Sequence, residues 1–127
     1  MNRVIIGAGS NINPEENIEL ARKKISKHTE IVRTSSFVRT EPIGYTNQNE
    51  FYNGAFLVRT EKNYNELREI LKNIESELGR VRTGHKDGPR TIDLDILVWN
   101  KEIMDDDVFE RDFLQEAIKE LVPSFEI

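Results

Sequence analysis

No cysteine occurs among the 127 residues, which excludes a disulfide framework, a thiol nucleophile and a Cys-ligated zinc site. Apolar runs are never longer than a few residues, so no segment is expected to span a membrane. No cleavable signal pattern follows Met1, and Arg3 is its only basic flank. A cytoplasmic address is the expectation. Internal repeats, linkers and low-complexity tracts are also absent. What remains is 32% charged and 37% hydrophobic, a balance that suits an ordinary folded domain rather than a disordered chain. The length fits a single domain over 1–127, long enough to bury a core.

An excess of positive charge is lacking too, since the formal net charge is -5. The negative charge is uneven. Residues 101–127 hold nine acids and three bases, whereas residues 1–100 are nearly neutral. Within that neutral part Arg80, Arg82, Lys86 and Arg90 cluster against the single acid Asp87. A local basic cluster on an acidic protein suggests a small anionic ligand; nucleic acid normally requires an extended basic face.

Along the chain, Val4-Ile5-Ile6 followed by Gly7-Ala8-Gly9-Ser10-Asn11 reads as a buried strand ending in a turn. No Gly-Lys-Ser/Thr follows the glycines, so they do not form a Walker loop. Asn13-Pro14-Glu15-Glu16 predicts a helix start with a capping Asn, running to about Lys27 with Ile18, Ala21 and Ile25 inward. Residues 31–39 and 50–60 predict strands, separated by a loop over 40–48. From Asn63, apolar residues Leu67, Ile70, Leu71, Ile74 and Leu78 recur at helical spacing, and Gly79 is a stop signal. A strand over 91–99 and an amphipathic helix over 111–121 complete the order. This β-α-β-β-α-β pattern plus a C-terminal helix predicts an α+β fold. The expectation is a ferredoxin-like antiparallel sheet covered by helices on one face. Such connectivity hosts many functions and decides none.

The strand over 91–99 breaks a rule. Alternation places Ile92, Leu94, Ile96 and Val98 on one face, and Thr91, Asp93 and Asp95 on the other. Asp is disfavoured in strands, and two carboxylates about 7 Å apart repel unless a cation lies between them. Hard oxygen ligands of this kind suit Mg²⁺ shared with substrate phosphates. An isolated Asp-x-Asp reads first as a solvated polar face on an edge strand. Here, however, Gly88-Pro89-Arg90 enters the strand, and Arg80 and Arg82 precede it. Guanidinium groups bind phosphate oxygens as a bidentate fork. Together these are the parts of a nucleotide triphosphate and magnesium site. The run Asp105-Asp106-Asp107 reads as a charged turn, His85 as a solvated loop residue, and His28 as closing a helix at its negative end.

The segment Gly88-Pro89-Arg90-Thr91-Ile92-Asp93-Leu94-Asp95-Ile96-Leu97 resembles the signature of the 6-hydroxymethyl-7,8-dihydropterin pyrophosphokinase family of folate biosynthesis. The resemblance extends over nearly the whole chain through Gly9-Ser10-Asn11, Ser35-Ser36-Phe37, Arg39-Thr40, Pro42-Ile43-Gly44, Phe51-x-Asn53-x-Ala55, Glu75 and Leu78-Gly79-Arg80. It implies transfer of pyrophosphate from ATP to the hydroxymethyl group of a dihydropterin, releasing AMP. It implies two Mg²⁺ ions on Asp93 and Asp95. Arg80 would lie on a mobile loop closing over ATP, Arg82 and Arg90 would hold phosphates, and Lys72, Glu75, Thr91 and Ile96 would line the nucleotide. The pterin would fall to Asn53 at its ring edge, to Thr40, Pro42 and Ile43, and to stacking Phe51 and Phe113, with Arg111 beside the transferred phosphates. A monomer or weak homodimer is expected, with no nucleic-acid or membrane partner.

The chain also departs from the family. The stretch between Asp95 and Arg111 is shorter than in most members, and their Val-Pro-His motif, whose histidine contacts ATP, is missing. Lys72 stands where Gln is common, and Asp87 replaces an aromatic or amide residue. A diverged ATP- or pterin-binding relative with little transferase activity is therefore the alternative. A ferredoxin-like interaction domain would leave Asp93 and Asp95 unexplained.

Overall fold

The computed structural model describes residues 1–40, 51–79 and 91–127. Their elements run β1 (Asn2–Ser10), α1 (Pro14–Ile25), β2 (Glu30–Thr34), β3 (Val38–Thr40), β4 (Phe51–Thr60), α2 (Tyr64–Glu77), β5 (Asp93–Trp99), β6 (Glu102–Ile103), α3 (Asp107–Glu110) and α4 (Asp112–Leu121). The strands form one antiparallel sheet in the order β2-β4-β1-β5-β6, with β3 pairing β4 beside β2. The predicted α+β, ferredoxin-like arrangement with an added C-terminal helix is therefore present. None of the described helices is long and apolar enough to cross a membrane.

Alternation along β1 and β4 explains the layering. Val4, Ile6, Ala8, Phe56 and Val58 face one side, where Ile18, Ala21 and Ile25 of α1 and Leu67, Leu71 and Ile74 of α2 cover them. Ile5, Ala55 and Leu57 face the other side, under Leu114, Ala117, Ile118 and Leu121 of α4. Helices thus cover both faces, which corrects the one-face expectation. Every face of a strand that reads apolar needs a cover, and α4 is the cover for the second face. It is tied down at its C-terminal end, where the Ser36 backbone N–H donates to Glu120 Oε2 at 2.7 Å.

Four local readings also change. The glycines of Gly7-Ala8-Gly9 are not in a turn; β1 runs straight through them to Ser10. The single strand expected over 31–39 is two strands, because the Ser35 side chain enters the ladder. Its Oγ accepts from the Ala55 backbone N–H at 2.8 Å while its own N–H donates to the Ala55 carbonyl at 2.9 Å. Helix α1 stops at Ile25, before Lys27. Asn13 holds its cap position in a left-handed conformation (φ 41°) without a side-chain capping bond. At α2 the start is stronger: Asn63 and Glu66 form a reciprocal capping box, satisfying two backbone donors. Gly79 ends it with φ 81°, a left-handed position that favours glycine.

The fourth change lies in β5. Ile5 pairs with Val98 and Ile6 with Ile96, so Leu97 is an extra residue in the ladder. This bulge reverses the alternation. Val98, expected beside Ile96, packs in the second core, while Ile96 and Trp99 belong with the first.

Candidate active site

The second face of the sheet is not covered along its whole length. Beyond α4, at the Ser10 end of β1, a cleft of about 190 Å³ opens. Its floor is sheet. Gly9 pairs with Asn53 on one side and Asp93 on the other, and Gly7 pairs with Ala55 and Asp95. Side chains two apart on a strand share a face, so Gly7 and Gly9 leave a bare track down β1, with Asn53 to one side and the two aspartates to the other. Asn53 and Asp93 lie two strand spacings apart, about 10 Å between backbones. Thr40, Phe51, Phe113, Leu114, Leu97, Arg111, Asp105 and Asp107 complete the lining.

Seven of the expected site residues therefore converge: Asp93, Asp95, Thr40, Phe51, Asn53, Arg111 and Phe113. Gly7, Gly9, Leu97, Asp105 and Asp107 were missed. The signal for the glycines was their two-residue spacing, the same one-face argument that singled out the aspartates. Arg80, Arg82, Arg90, Pro42, Ile43, His85 and Asp87 lie outside the described residues, as does the loop expected to close over ATP.

The floor is held by specific bonds. Asn53 Nδ2 donates to Thr40 Oγ1 at 2.6 Å. Ser10 Oγ donates to the Thr91 carbonyl, and Thr91 Oγ1 donates to the Gly79 carbonyl at 3.2 Å, so the start of β5 is joined to β1 and to the end of α2. Glu75 is 3% exposed, and its Oε2 accepts from the Leu94 backbone N–H at 2.7 Å. That bond satisfies an edge donor of β5 between the two aspartates. Lys72 Nζ stands 3.5 Å from the other Glu75 oxygen. Ile96 is buried in the first core. Phe113 is half-buried, with one side in the second core and another lining the cleft. Arg111 precedes α4 and reaches Asp107 at 3.9 Å.

Charge is crowded at the aspartates. The Asp95 carboxyl is pushed up from 3.8 to about 7, chiefly by partial desolvation against the cleft walls, although the residue remains open to solvent. The negative charges of Asp93, Asp105 and Glu75 add to this, against the opposing pull of Lys72. Two carboxylates on one face, with Asp95 in surroundings that disfavour its negative charge, are the donor set a hard divalent cation suits. The Asp105–Asp107 run is a turn leading into α3, where Asp105 Oδ1 accepts from the Asp107 backbone N–H at 2.9 Å. It places Asp105 and Asp107 on the cleft wall.

Comparison with known proteins shows the family. The family model described as 7,8-dihydro-6-hydroxymethylpterin-pyrophosphokinase matches residues 5–123. The chain is 38% identical to the 2-amino-4-hydroxy-6-hydroxymethyldihydropteridine pyrophosphokinase of Haemophilus influenzae, over 96% of this chain and 79% of that protein. It is 35% identical to the Bacillus subtilis protein of the same name, over 98% of this chain and 81% of the relative. A folate synthesis bifunctional protein of Arabidopsis thaliana is 33% identical over 98% of this chain and 28% of its own length. The match spans both cores, and the chain belongs to the 7,8-dihydro-6-hydroxymethylpterin pyrophosphokinase family.

Proposed function

We propose that this chain transfers the pyrophosphoryl group of ATP to the hydroxymethyl group of 6-hydroxymethyl-7,8-dihydropterin and releases AMP. The observation that carries the reading is the row Asn53–Gly9–Asp93 across three adjacent strands. It pairs an amide suited to a heterocycle edge with a carboxylate suited to a cation, and leaves only bare backbone between them.

In this reading the pterin ring lies between Phe51 and Phe113 with its polar edge on Asn53, as a flat donor-acceptor ring requires. Its hydroxymethyl group then points across the glycine track towards Asp93 and Asp95. The hydroxyl oxygen bonds to the β-phosphorus of ATP while the bond from that phosphorus to the α–β bridging oxygen breaks. The hydroxyl proton is lost and AMP is the leaving group. Asp93 and Asp95 would hold two Mg²⁺ ions. Bound there, magnesium supplies charge neutralisation of the phosphates and acidifies the attacking alcohol. Arg111, restrained by Asp107, offers a guanidinium to the phosphates. Glu75 keeps the metal-bearing edge of β5 in register, and the half-buried aromatics exclude water from the reacting end.

Incubation with ATP, Mg²⁺ and the hydroxymethyl dihydropterin, with nucleotide products followed by chromatography, tests the reaction. AMP formed only in the presence of the pterin is the expected result. ADP as the nucleotide product would refute pyrophosphoryl transfer.

A further inference from the structure

The Asn53 amide has two chemically different ends, and the structure orients them. Its Nδ2 faces β3 and donates to Thr40 Oγ1 at 2.6 Å. Its Oδ1 lies over Gly9, so close that a Cβ built on that glycine would stand 2.5 Å from it. A threonine hydroxyl alone could serve either end of an amide, since it both donates and accepts. Gly9 breaks that symmetry: its bare Cα presents hydrogen where other residues carry a side chain, and such C–H groups favour an oxygen. We propose that the Thr40 hydroxyl and the missing side chain of Gly9 act as a pair that positions Asn53, fixing its carbonyl oxygen inward over the track. The site thereby selects heterocycles whose edge presents N–H donors.

This rests on the pterin reading above and deepens it. Thr40 acts here through its hydroxyl on another residue, a role distinct from backbone contact with the ring. Asn53 is half-buried and lines the cleft, so its oxygen remains within reach of a ligand while its rotation is restricted. Preorganising the acceptor before binding removes an ordering cost from the ligand's affinity. A ligand edge carrying acceptors where the pterin has donors would meet oxygen against oxygen and be rejected.

The deciding variants are Thr40→Val, which keeps the β-branched shape of the strand residue, and Thr40→Ser, which keeps the hydroxyl. Dihydropterin affinity is measured by calorimetry, beside affinity for a non-hydrolysable ATP analogue and the melting temperature. In parallel, proton exchange of the Asn53 side-chain amide is followed by NMR in the ligand-free protein, its signal assigned through its loss in Asn53→Ala. Thr40→Val should weaken dihydropterin binding by about tenfold, the loss of one hydrogen bond. ATP-analogue affinity and melting temperature should stay near those of the parent. Thr40→Ser should restore binding, and slow amide exchange should persist in it but vanish in Thr40→Val. Unchanged dihydropterin affinity and amide exchange in Thr40→Val would overturn the inference. Equal weakening in Val and Ser would overturn it as well, since the hydroxyl would then be irrelevant. If the parent protein fails to bind the dihydropterin while amide exchange still tracks the hydroxyl, the proposed function falls and the positioning of Asn53 stands.

Discussion

Asp95 ties the chemistry of the cleft to the stability of the chain. Its folded-state pKa of about 7 lies above its ordinary 3.8, so the folded protein holds this proton more tightly than the unfolded chain. The contribution is fully present below about pH 4 and is lost as pH rises through 7. Without divalent metal, Asp95→Asn should therefore stabilise the fold at pH 8 and leave it unchanged at pH 4. The gain should be about 1–2 kcal/mol, discounted because the side chain opens to solvent. Urea unfolding at both pH values in the presence of a chelator measures it, and turnover of the same variant should fall by several orders of magnitude. Glu75 gives a second test. Glu75→Ala leaves the Leu94 N–H buried without this acceptor and should cost about 2 kcal/mol, whereas Glu75→Gln retains an acceptor and should cost less than half of that. An equal loss in both variants, read by urea midpoint, would show that charge rather than the bond to Leu94 matters. The aspartates were legible in the sequence because carboxylates on a strand face violate a preference. The structural bond of Glu75 was not, since it spans two elements and leaves no pattern along the chain.

Among the elements, α2 was plain from its periodicity, its capping residue and Gly79. β5 was only half legible. In Ile96-Leu97-Val98 every residue is apolar, so either register satisfies the pattern, and only the second core beneath α4 decides where the bulge falls. The Gly7-Ala8-Gly9 stretch misled for a related reason. Glycine usually marks a turn, but here its value is the absence of a side chain over a cleft floor. Helix α4 has two tasks, sealing the second core with Leu114, Ala117, Ile118 and Leu121 and presenting Phe113 to the cleft. Phe113→Ala should thus weaken dihydropterin binding roughly ten- to a hundred-fold through lost stacking and apolar contact. Its half-buried position limits the stability loss to about 1–2 kcal/mol, below the 3–5 of a core phenylalanine. Calorimetry for pterin and ATP analogue, with a melting curve, separates the two tasks. A core-sized stability loss with unchanged pterin affinity would assign Phe113 to packing alone.

On the scale of the whole molecule, one sheet serves two cores, and the cleft exists because the second cover is shorter than the sheet beneath it. That cover is built from residues far from β1 and β4 in the chain. Ending the chain at Arg111 would bare Ile5, Leu57, Leu97 and Val98, an apolar face a folded monomer rarely leaves exposed. Such a truncation should lose its cooperative melting transition and bind a hydrophobic dye. A sharp transition in the truncated chain would show that the first core is sufficient alone.

The bare track along β1 also limits how this site can change under mutation. Glycine has no side chain to shorten, so every substitution at position 7 or 9 adds atoms. At Gly9 the first added carbon already collides with Asn53, and at Gly7 it meets the Leu97 side chain at 3.0 Å. The floor is therefore at its greatest possible depth, and variation there can only narrow the range of accepted ligands. A variant able to take a bulkier heterocycle must arise at the walls, where Thr40, Leu97 and Phe113 still have volume to give up.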